Sequence, residues 1–146
     1  MGRRELVSSH KIHLTADALA EEVDYSDVDM VVLPGGSRYT QPCRQQDGHR
    51  DLCRLCQGGP EGGRHLCRPQ HPGLSWLLEG RNATAHAGFQ DQLAGAVVHD
   101  EEVVVDGNIT TSYGLGGAIP FALELVRQLA GQAEAERIRN AIAYRH

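Results

Sequence analysis

The clearest hydrophobic pattern in the chain lies in its C-terminal third. Apolar side chains recur every three or four positions at Ala118, Phe121, Ala122, Leu125 and Leu129. This spacing predicts an amphipathic helix. Pro120 falls in its first turn, where a missing N–H costs little, and Gly131 is placed to end it.

A second helix is predicted directly after Gly131. Its apolar positions are Ala135, Ile138, Ala141 and Ile142. Glu134 and Glu136 lie near its start and Arg139 lies toward its end, which complements the helix dipole. The C-terminal third is therefore predicted to form two consecutive helices.

Short β-branched or alternating segments precede the helices. They cover residues 6–14 (a strand or a hairpin), 28–33, 83–86, 103–105 and 109–111. The run at 28–33 is typical of a strand buried on both faces of a parallel sheet. Asp106-Gly107-Asn108 has the residue types that favour a tight turn. A loop with Gly114, Gly116 and Gly117 joins the last strand to the first helix. Strand, glycine loop and helix predict an α/β fold.

The middle of the chain breaks this pattern. Residues 37–75 show no hydrophobic periodicity and hold all four cysteines, with six arginines and three acids, a charge of +3. The remaining residues carry eight basic and sixteen acidic side chains, a charge of −8. We therefore predict one domain over residues 1–146 in which 37–75 is irregular.

Length and charge exclude some classes of protein. A chain of 146 residues is long enough for one buried core. The net charge of −5 argues against a nucleic-acid partner. No apolar run reaches 18 residues and no signal-peptide pattern is present, so we expect no membrane span and a cytoplasmic location.

The cysteine-rich segment permits a metal-binding alternative. Cys53 and Cys56 form a C-x₂-C pair that Cys67 and His71 follow, and these residue types ligate zinc. No hydrophobic pattern of a zinc knuckle surrounds them. The glycines at 114, 116 and 117 resemble a dinucleotide loop only loosely, because no strand after the next helix supplies a ribose-binding acid. No cofactor is therefore predicted.

Three segments together resemble a known family. In chain order they are VDMVVLPGG, LLEGRNATAHAGFQDQL and DGNITTSYGLGGAIPFALELVRQLAG. They are similar to the ThiJ/PfpI family, which includes the parkinsonism-associated deglycase and its bacterial relatives. The resemblance implies a flavodoxin-like (class I glutamine amidotransferase-like) three-layer α/β sandwich, here incomplete. It also implies a homodimer, deglycase or glyoxalase activity, oxidative-stress protection and chaperone activity.

The resemblance carries over to few site residues. Gly36 falls where the family places a backbone N–H as an oxyanion donor, and His86 falls where its nearby histidine lies. The family's nucleophilic cysteine stands in an AICAAP elbow that this chain lacks, so Cys67 is a candidate by proximity only. The chain begins near the family's third strand, and Glu21 and Glu22 are not equivalents of the family's proton-sharing glutamate. The implied substrate is a small reactive carbonyl or a glycated protein, on which we expect impaired activity or none.

A displaced reading frame would account for the middle segment. Residues 62–73 can be back-translated so that a reading one nucleotide later spells AAAICAAPSILA, the family's elbow. Residues 51–61 treated in the same way can give a preceding amphipathic helix. We therefore predict a displaced frame over about residues 37–75, which the coding DNA would test.

Overall fold

The computed structural model describes residues 4–8, 11–19, 22–33, 64–66 and 75–145, with the backbone alone for 64–66 and 75–76. Its eight strands are β1 (Glu5–Val7), β2 (His13–Thr15), β3 (Met30–Val32), β4 (Arg64–Leu66), β5 (Asn82–Ala83), β6 (Val97–Val98), β7 (Val103–Asp106) and β8 (Ile109–Ser112). The α-helices are α1 (Ala118–Ala130) and α2 (Gln132–Ala141). Short 3₁₀ helices span Ser75–Leu78, Ala87–Gln92 and Leu115–Gly117.

A four-stranded sheet in the order β3-β4-β8-β7 forms the centre of the described structure. β3, β4 and β8 are parallel, while β7 pairs antiparallel with β8. The turn between β7 and β8 contains Gly107 at φ 60°, the left-handed region that glycine tolerates. This confirms the turn predicted from Asp106-Gly107-Asn108.

Two further strand pairs lie outside this sheet. β1 and β2 form an antiparallel hairpin in which Leu6 faces Leu14 in register, which is one of the two alternatives that the sequence left open for residues 6–14. β5 and β6 pair in parallel. β5 is shorter than the strand predicted at 83–86, since it ends at Ala83 and the chain enters a 3₁₀ helix at Ala87.

β4 corrects the prediction that the whole stretch 37–75 is irregular. Residues 64–66 pair with β3 on one side and with β8 on the other, with Leu66 in register with Val32 and Thr110. Arg64-His65-Leu66 has little strand propensity of its own. Pairing with two neighbours therefore determines its conformation, as is common for strands.

β3 is less buried than the sequence predicts. Val32 is 47% exposed. Within the described residues β3 has a ladder partner on one side only, because it lies at the edge of the four-stranded sheet. A run of apolar residues cannot by itself distinguish an edge strand from a central one.

Both predicted helices are confirmed. α1 ends at Gly131, which has φ 88° and donates its N–H to the Arg127 carbonyl at 3.0 Å. The buried face differs from the predicted stripe, because Leu123 is buried while Leu129 is 53% exposed. α1 packs against α2 as well as against β7 and β8, so its buried positions do not follow one stripe.

The core lies between β5, β8 and the Ser75–Leu78 helix. Its buried apolar side chains are Leu77, Leu78, Ala83, Ala85, Leu93 and Ile109. Leu78 and Ile109 are almost fully buried, and these contacts fix β5 against β8. No helix in the described part of the chain is long and apolar enough to cross a bilayer.

Candidate functional site

The carboxyl ends of the parallel strands define the candidate site. β3, β4 and β8 run in the same direction, so all three end at one edge of the sheet. In open α/β sheets this edge is where ligands bind. In the sequence, the Pro34-Gly35-Gly36 segment comes after β3, Cys67 is the residue after β4, and the glycine loop at 114–117 comes after β8.

Of the three predicted site residues, the structure describes only His86. Gly36 and Cys67 lie outside the described residues, as do the other proposed zinc ligands Cys53, Cys56 and His71. Within the described ranges, no group of three or more His, Cys, Asp or Glu side chains could hold a metal ion. His86 is therefore the predicted site residue whose geometry can be described.

His86 caps the 3₁₀ helix that follows β5. Its Nδ1 accepts a hydrogen bond from the backbone N–H of Gly88 at 3.2 Å. A nitrogen that accepts a hydrogen bond holds no proton, which assigns the proton of the neutral ring to Nε2. The ring is solvent-exposed, so Nε2–H is available as a donor to a ligand.

Phe89 and Gly114 are neighbours of the imidazole. The Phe89 ring meets it edge-on, with centroids 6.0 Å apart and an interplanar angle of 62°. On another side lies Gly114, where an added Cβ would stand 3.8 Å from His86 Cδ2. Gly114 has φ 138° and ψ −154°, a conformation that is essentially restricted to glycine. The loop after β8 therefore lies beside the segment that follows β5.

The glycine loop is itself closely packed. A Cβ on Gly117 would lie 2.6 Å from Ser112 Oγ and 3.0 Å from the Glu102 carbonyl oxygen. One on Gly116 would lie 2.9 Å from the Tyr113 hydroxyl. These close approaches explain why small residues occur in this loop. The sequence predicted a tight crossover here but gave no sign that Gly114 lies beside His86.

Buried threonines support the segment that leads from β5 to His86. The backbone N–H of Thr84 donates to Thr111 Oγ1 at 2.9 Å, and both residues are fully buried. Beyond His86, Gln90 Nε2 donates to the Ala85 carbonyl at 3.4 Å and to Asp100 Oδ1 at 3.0 Å. His86 therefore has its backbone anchored on both sides.

An acidic residue joins the β7–β8 turn to the start of β5. Asp106 Oδ2 accepts from the backbone N–H of Asn82 at 2.7 Å and from its Nδ2 at 2.9 Å. These two bonds, with a smaller contribution from the Arg81 guanidinium 3.6 Å away, hold the pKa of Asp106 below its usual value. Asp106 is thus a structural carboxylate.

No carboxylate among the described residues hydrogen-bonds to the His86 ring. Glu22, which the sequence sets apart from the family's glutamate, lies at the base of the β1–β2 hairpin. There it pairs with Arg4 and accepts the Leu19 N–H at 3.1 Å. Its location fits a structural role.

Comparisons with known proteins agree with this architecture. The sequence profile of the DJ-1/PfpI family matches residues 1–128. The chain belongs to the DJ-1/PfpI family. This confirms the resemblance to the ThiJ/PfpI proteins.

The similar proteins in this family include a DJ-1 homolog, a deglycase and an isonitrile hydratase. The chain is 30% identical to protein DJ-1 homolog A of Arabidopsis thaliana, over 93% of this chain and 36% of that protein. It is also 30% identical to deglycase PfpI of Pyrococcus furiosus, over 85% of this chain and 76% of that protein. The isonitrile hydratase of Pseudomonas putida is 29% identical over 80% of this chain and 52% of that protein. The chain spans about a third of the length of the two Arabidopsis relatives it matches.

Solved structures confirm the predicted fold. A DJ-1 superfamily protein from Salmonella typhimurium matches with a TM-score of 0.85 and 27% identity, covering all of this chain and 80% of that one. DJ-1beta of Drosophila melanogaster matches with a TM-score of 0.83 and 27% identity, over 99% of this chain and 80% of that chain. The flavodoxin-like fold is therefore shown, whereas nothing in these comparisons supports the zinc-binding alternative.

Proposed function

We propose that this protein carries out weak cysteine-dependent chemistry on reactive carbonyl compounds, of the deglycase or glyoxalase type, with Cys67 as its nucleophile. The position of β4 is the observation that supports this. β4 lies between β3 and β8, and Cys67 is the next residue in the sequence. A nucleophile after a central parallel strand is in the right part of an α/β fold for catalysis.

The chemistry divides between a sulfur and its hydrogen-bond donors. The Cys67 thiolate adds to the aldehyde carbon and forms a C–S bond, while the C=O π electrons move to the oxygen. The Nε2–H of His86 donates to that oxygen, and the Gly36 backbone N–H is the second donor. Protonation of the oxygen by water gives a hemithioacetal. For a 2-oxoaldehyde, a proton shift through an enediol then converts the hemithioacetal into a thioester, and water cleaves its C–S bond, which releases a 2-hydroxy acid and returns the Cys67 thiol. The same addition applies to a free 2-oxoaldehyde and to the aldehyde released from a glycated amine.

Proton transfer is the step for which the described residues supply no carboxylate at the proposed site. Among the described residues no carboxylate is bonded to His86, and neither Glu21 nor Glu22 matches the family's glutamate. The cationic side-chain types at Arg64, His65 and Arg68 favour the thiolate of a neighbouring cysteine but do not transfer its proton. Because a positioned general acid or base contributes about 10²–10⁴-fold, we expect a rate lower by roughly that factor than that of relatives with the glutamate.

The experiment is methylglyoxal consumption by the purified chain. We expect slow turnover that Cys67→Ser abolishes and that Cys43→Ser leaves unchanged, since both variants replace one thiol by a hydroxyl. His86→Gln should reduce the rate without abolishing it. Equal rates in the wild type and in Cys67→Ser would refute the role of Cys67.

Further properties belong to the same proposal. Family membership supports a homodimer, a cytoplasmic location, and roles in oxidative-stress protection and as a chaperone. Light scattering at several protein concentrations would test the dimer. A mass equal to that of one chain at all concentrations would contradict the proposed homodimer.

A further inference from the structure

The turn between β7 and β8 places an aspartate directly before a glycine. Gly107 has φ 60°, a backbone conformation that favours glycine, and it is exposed to solvent. Asp106 is the last residue of β7. Because glycine has no side chain to shield its backbone nitrogen, that nitrogen can attack the carboxyl carbon of a preceding aspartate. The glycine that this turn favours therefore creates a chemically reactive pair.

The reaction open to this pair is a rearrangement of the peptide bond through a succinimide. The Gly107 nitrogen forms a bond to Asp106 Cγ and loses its proton, while a carboxyl oxygen leaves as water. Water then adds to one of the two ring carbonyl groups. Cleavage at the former main-chain carbonyl gives isoaspartate, in which the backbone runs through Cβ and Cγ. Water is lost and regained, so the reaction needs no oxidant, reductant or cofactor.

Residues at the start of β5 engage both oxygens of the Asp106 carboxylate. Oδ2 accepts from the Asn82 backbone N–H at 2.7 Å and from its Nδ2 at 2.9 Å. Oδ1 lies 3.6 Å from the Arg81 guanidinium. Ring closure joins Cγ to the Gly107 nitrogen and expels one oxygen, so the carboxyl group has to leave these partners first. The contacts to β5 therefore oppose the rearrangement.

The Asn82 side chain is itself held in one orientation. Its Oδ1 lies 2.7 Å from His99 Nε2. Because Nδ2 of the same amide donates to Asp106, Oδ1 is the acceptor and His99 Nε2 carries the proton. A flipped amide would bring Oδ1 against the carboxylate, two acceptors with no proton between them. Asn82 and His99 are together named the amide clamp.

The ionisation of Asp106 acts in the same direction. The bonds from the backbone N–H and the side chain of Asn82 hold the pKa of Asp106 below its usual value. A carboxylate accepts a nucleophile less readily than the neutral acid does, because its oxygen must gain protons before it can leave as water. The contacts that restrain the carboxyl group therefore also keep it in its less reactive form.

We propose that Asp106-Gly107 is a latent site of isoaspartate formation, which the amide clamp suppresses in the folded chain. When the clamp opens, the carboxyl group is released and the ring closes at the rate of an unrestrained Asp-Gly pair. Isoaspartate adds one atom to the backbone of the turn and moves the carboxylate, so the product does not restore the bonds to Asn82. The modification involves neither Cys67 nor His86 and is independent of the proposed function.

The experiment measures isoaspartate at residue 106 during storage of the purified chain at neutral pH. Mass spectrometry with electron-transfer fragmentation distinguishes the two linkages. We expect Asn82→Ala to form isoaspartate about tenfold faster than the wild type, because it loses one hydrogen bond to a charged group and the rate follows the population of the open clamp. Gln90→Ala is the matched control, since it removes another side-chain amide that donates to a carboxylate, Asp100 Oδ1 at 3.0 Å. Its rate at residue 106 should equal that of the wild type.

A general loss of stability has to be distinguished from opening of the clamp. Leu123→Ala truncates a buried side chain of α1 and leaves the clamp residues unchanged. We expect it to form isoaspartate at residue 106 more slowly than Asn82→Ala does. Asp47-Gly48 is the second Asp-Gly pair in the sequence and serves as an internal reference. Its rate should be the same in Asn82→Ala and in the wild type.

A second clamp variant and the unfolded wild type complete the test. His99→Ala keeps every donor to Asp106 but loses the group that orients Asn82, so it should give a smaller increase. The wild type in concentrated urea gives the unrestrained rate at residue 106, which should exceed the native rate. Circular dichroism checks that each variant is folded. Equal rates in the wild type and in both clamp variants, an equally large increase in Leu123→Ala, or equal native and urea rates would overturn the inference.

Discussion

The backbone N–H of Thr84 donates a 2.9 Å hydrogen bond to Thr111 Oγ1 across the buried contact between β5 and β8. Thr111 in turn lies 3.5 Å from the Val104 carbonyl, to which its hydroxyl donates. One buried side chain therefore connects three strand segments. The segment it fixes leads directly to His86.

The first prediction concerns these two threonines. Thr111→Val removes the acceptor and leaves the buried Thr84 N–H unpaired, so the free energy of unfolding should fall by about 1–3 kcal/mol. Thr84→Val should be neutral or slightly stabilising, because Thr84 Oγ1 is buried and has no hydrogen-bond partner among the described residues. Urea denaturation of both variants measures the difference. A loss for Thr84→Val as large as that for Thr111→Val would show that its hydroxyl is bonded.

The second prediction concerns the backbone at Gly114. Its φ of 138° and ψ of −154° are unfavourable for any residue with a Cβ, although the nearest atom to such a Cβ lies 3.8 Å away. Gly114→Ala should therefore destabilise the protein by about 1–3 kcal/mol through strain and not through a clash. Gly88→Ala is the matched control, since its Cβ would make an ordinary 3.5 Å contact with His86 Nδ1 without positive φ. Its effect should stay within about 0.5 kcal/mol. Thermal unfolding measures both, and similar losses would contradict the assignment to strain.

A third prediction separates two adjacent glycines. A Cβ on Gly117 would stand 2.6 Å from Ser112 Oγ and 3.0 Å from the Glu102 carbonyl, which is backbone and cannot turn away. Gly117→Ala should cost about 1–3 kcal/mol by overpacking. The three atoms nearest to a Cβ on Gly116 all belong to the Tyr113 side chain, the closest being its hydroxyl oxygen, so Gly116→Ala should cost less. Denaturant midpoints would rank the variants, and the reverse order would be inconsistent with this packing.

The fourth prediction concerns pH and Asp106. Bonds from Asn82 hold the pKa of Asp106 below its usual value, so the folded state binds its proton more weakly than the unfolded state does. The carboxylate therefore stabilises the fold above the unfolded pKa of about 4, and this contribution is lost as pH falls through the lower folded pKa. The wild type should have a higher free energy of unfolding than Asp106→Asn at pH 7. This difference, the stability gap, should narrow below about pH 4.

Urea titrations at several pH values measure that gap. Other carboxylates with lowered pKa values, such as Glu124 beside Arg127, contribute equally to both proteins and cancel in the comparison. Asn82→Ala removes the side-chain donor but keeps the backbone donor, and should reduce the gap in part. A gap that is independent of pH would contradict the role of the Asp106 carboxylate.

Local pattern was sufficient for the elements whose interactions are local. The turn at Asp106-Gly107-Asn108 and the end of α1 at Gly131 depend on φ angles that glycine adopts, and both were predicted. The helices follow from spacing within ten to thirteen residues. The stretch 37–75 had no such signal, and the displaced reading frame remains a prediction that sequencing the coding DNA would test.

The candidate site could be predicted only in part, because its parts are far apart in the sequence. A resemblance pointed to His86, but nothing in the residues around positions 86 and 114 indicated that the two lie side by side. Contacts of this kind arise from the pairing of strands, and the sequence does not specify their partners.

By itself, the amino-acid sequence determined the two helices, the turn at Asp106-Gly107-Asn108 and the family, because periodicity, turn residues and motifs act over short stretches. Only the tertiary structure decided that β4 lies between β3 and β8 and that Gly114 lies beside His86. The physical reason is that a three-residue strand has too few side chains to specify its neighbours, so long-range pairing and burial set its place.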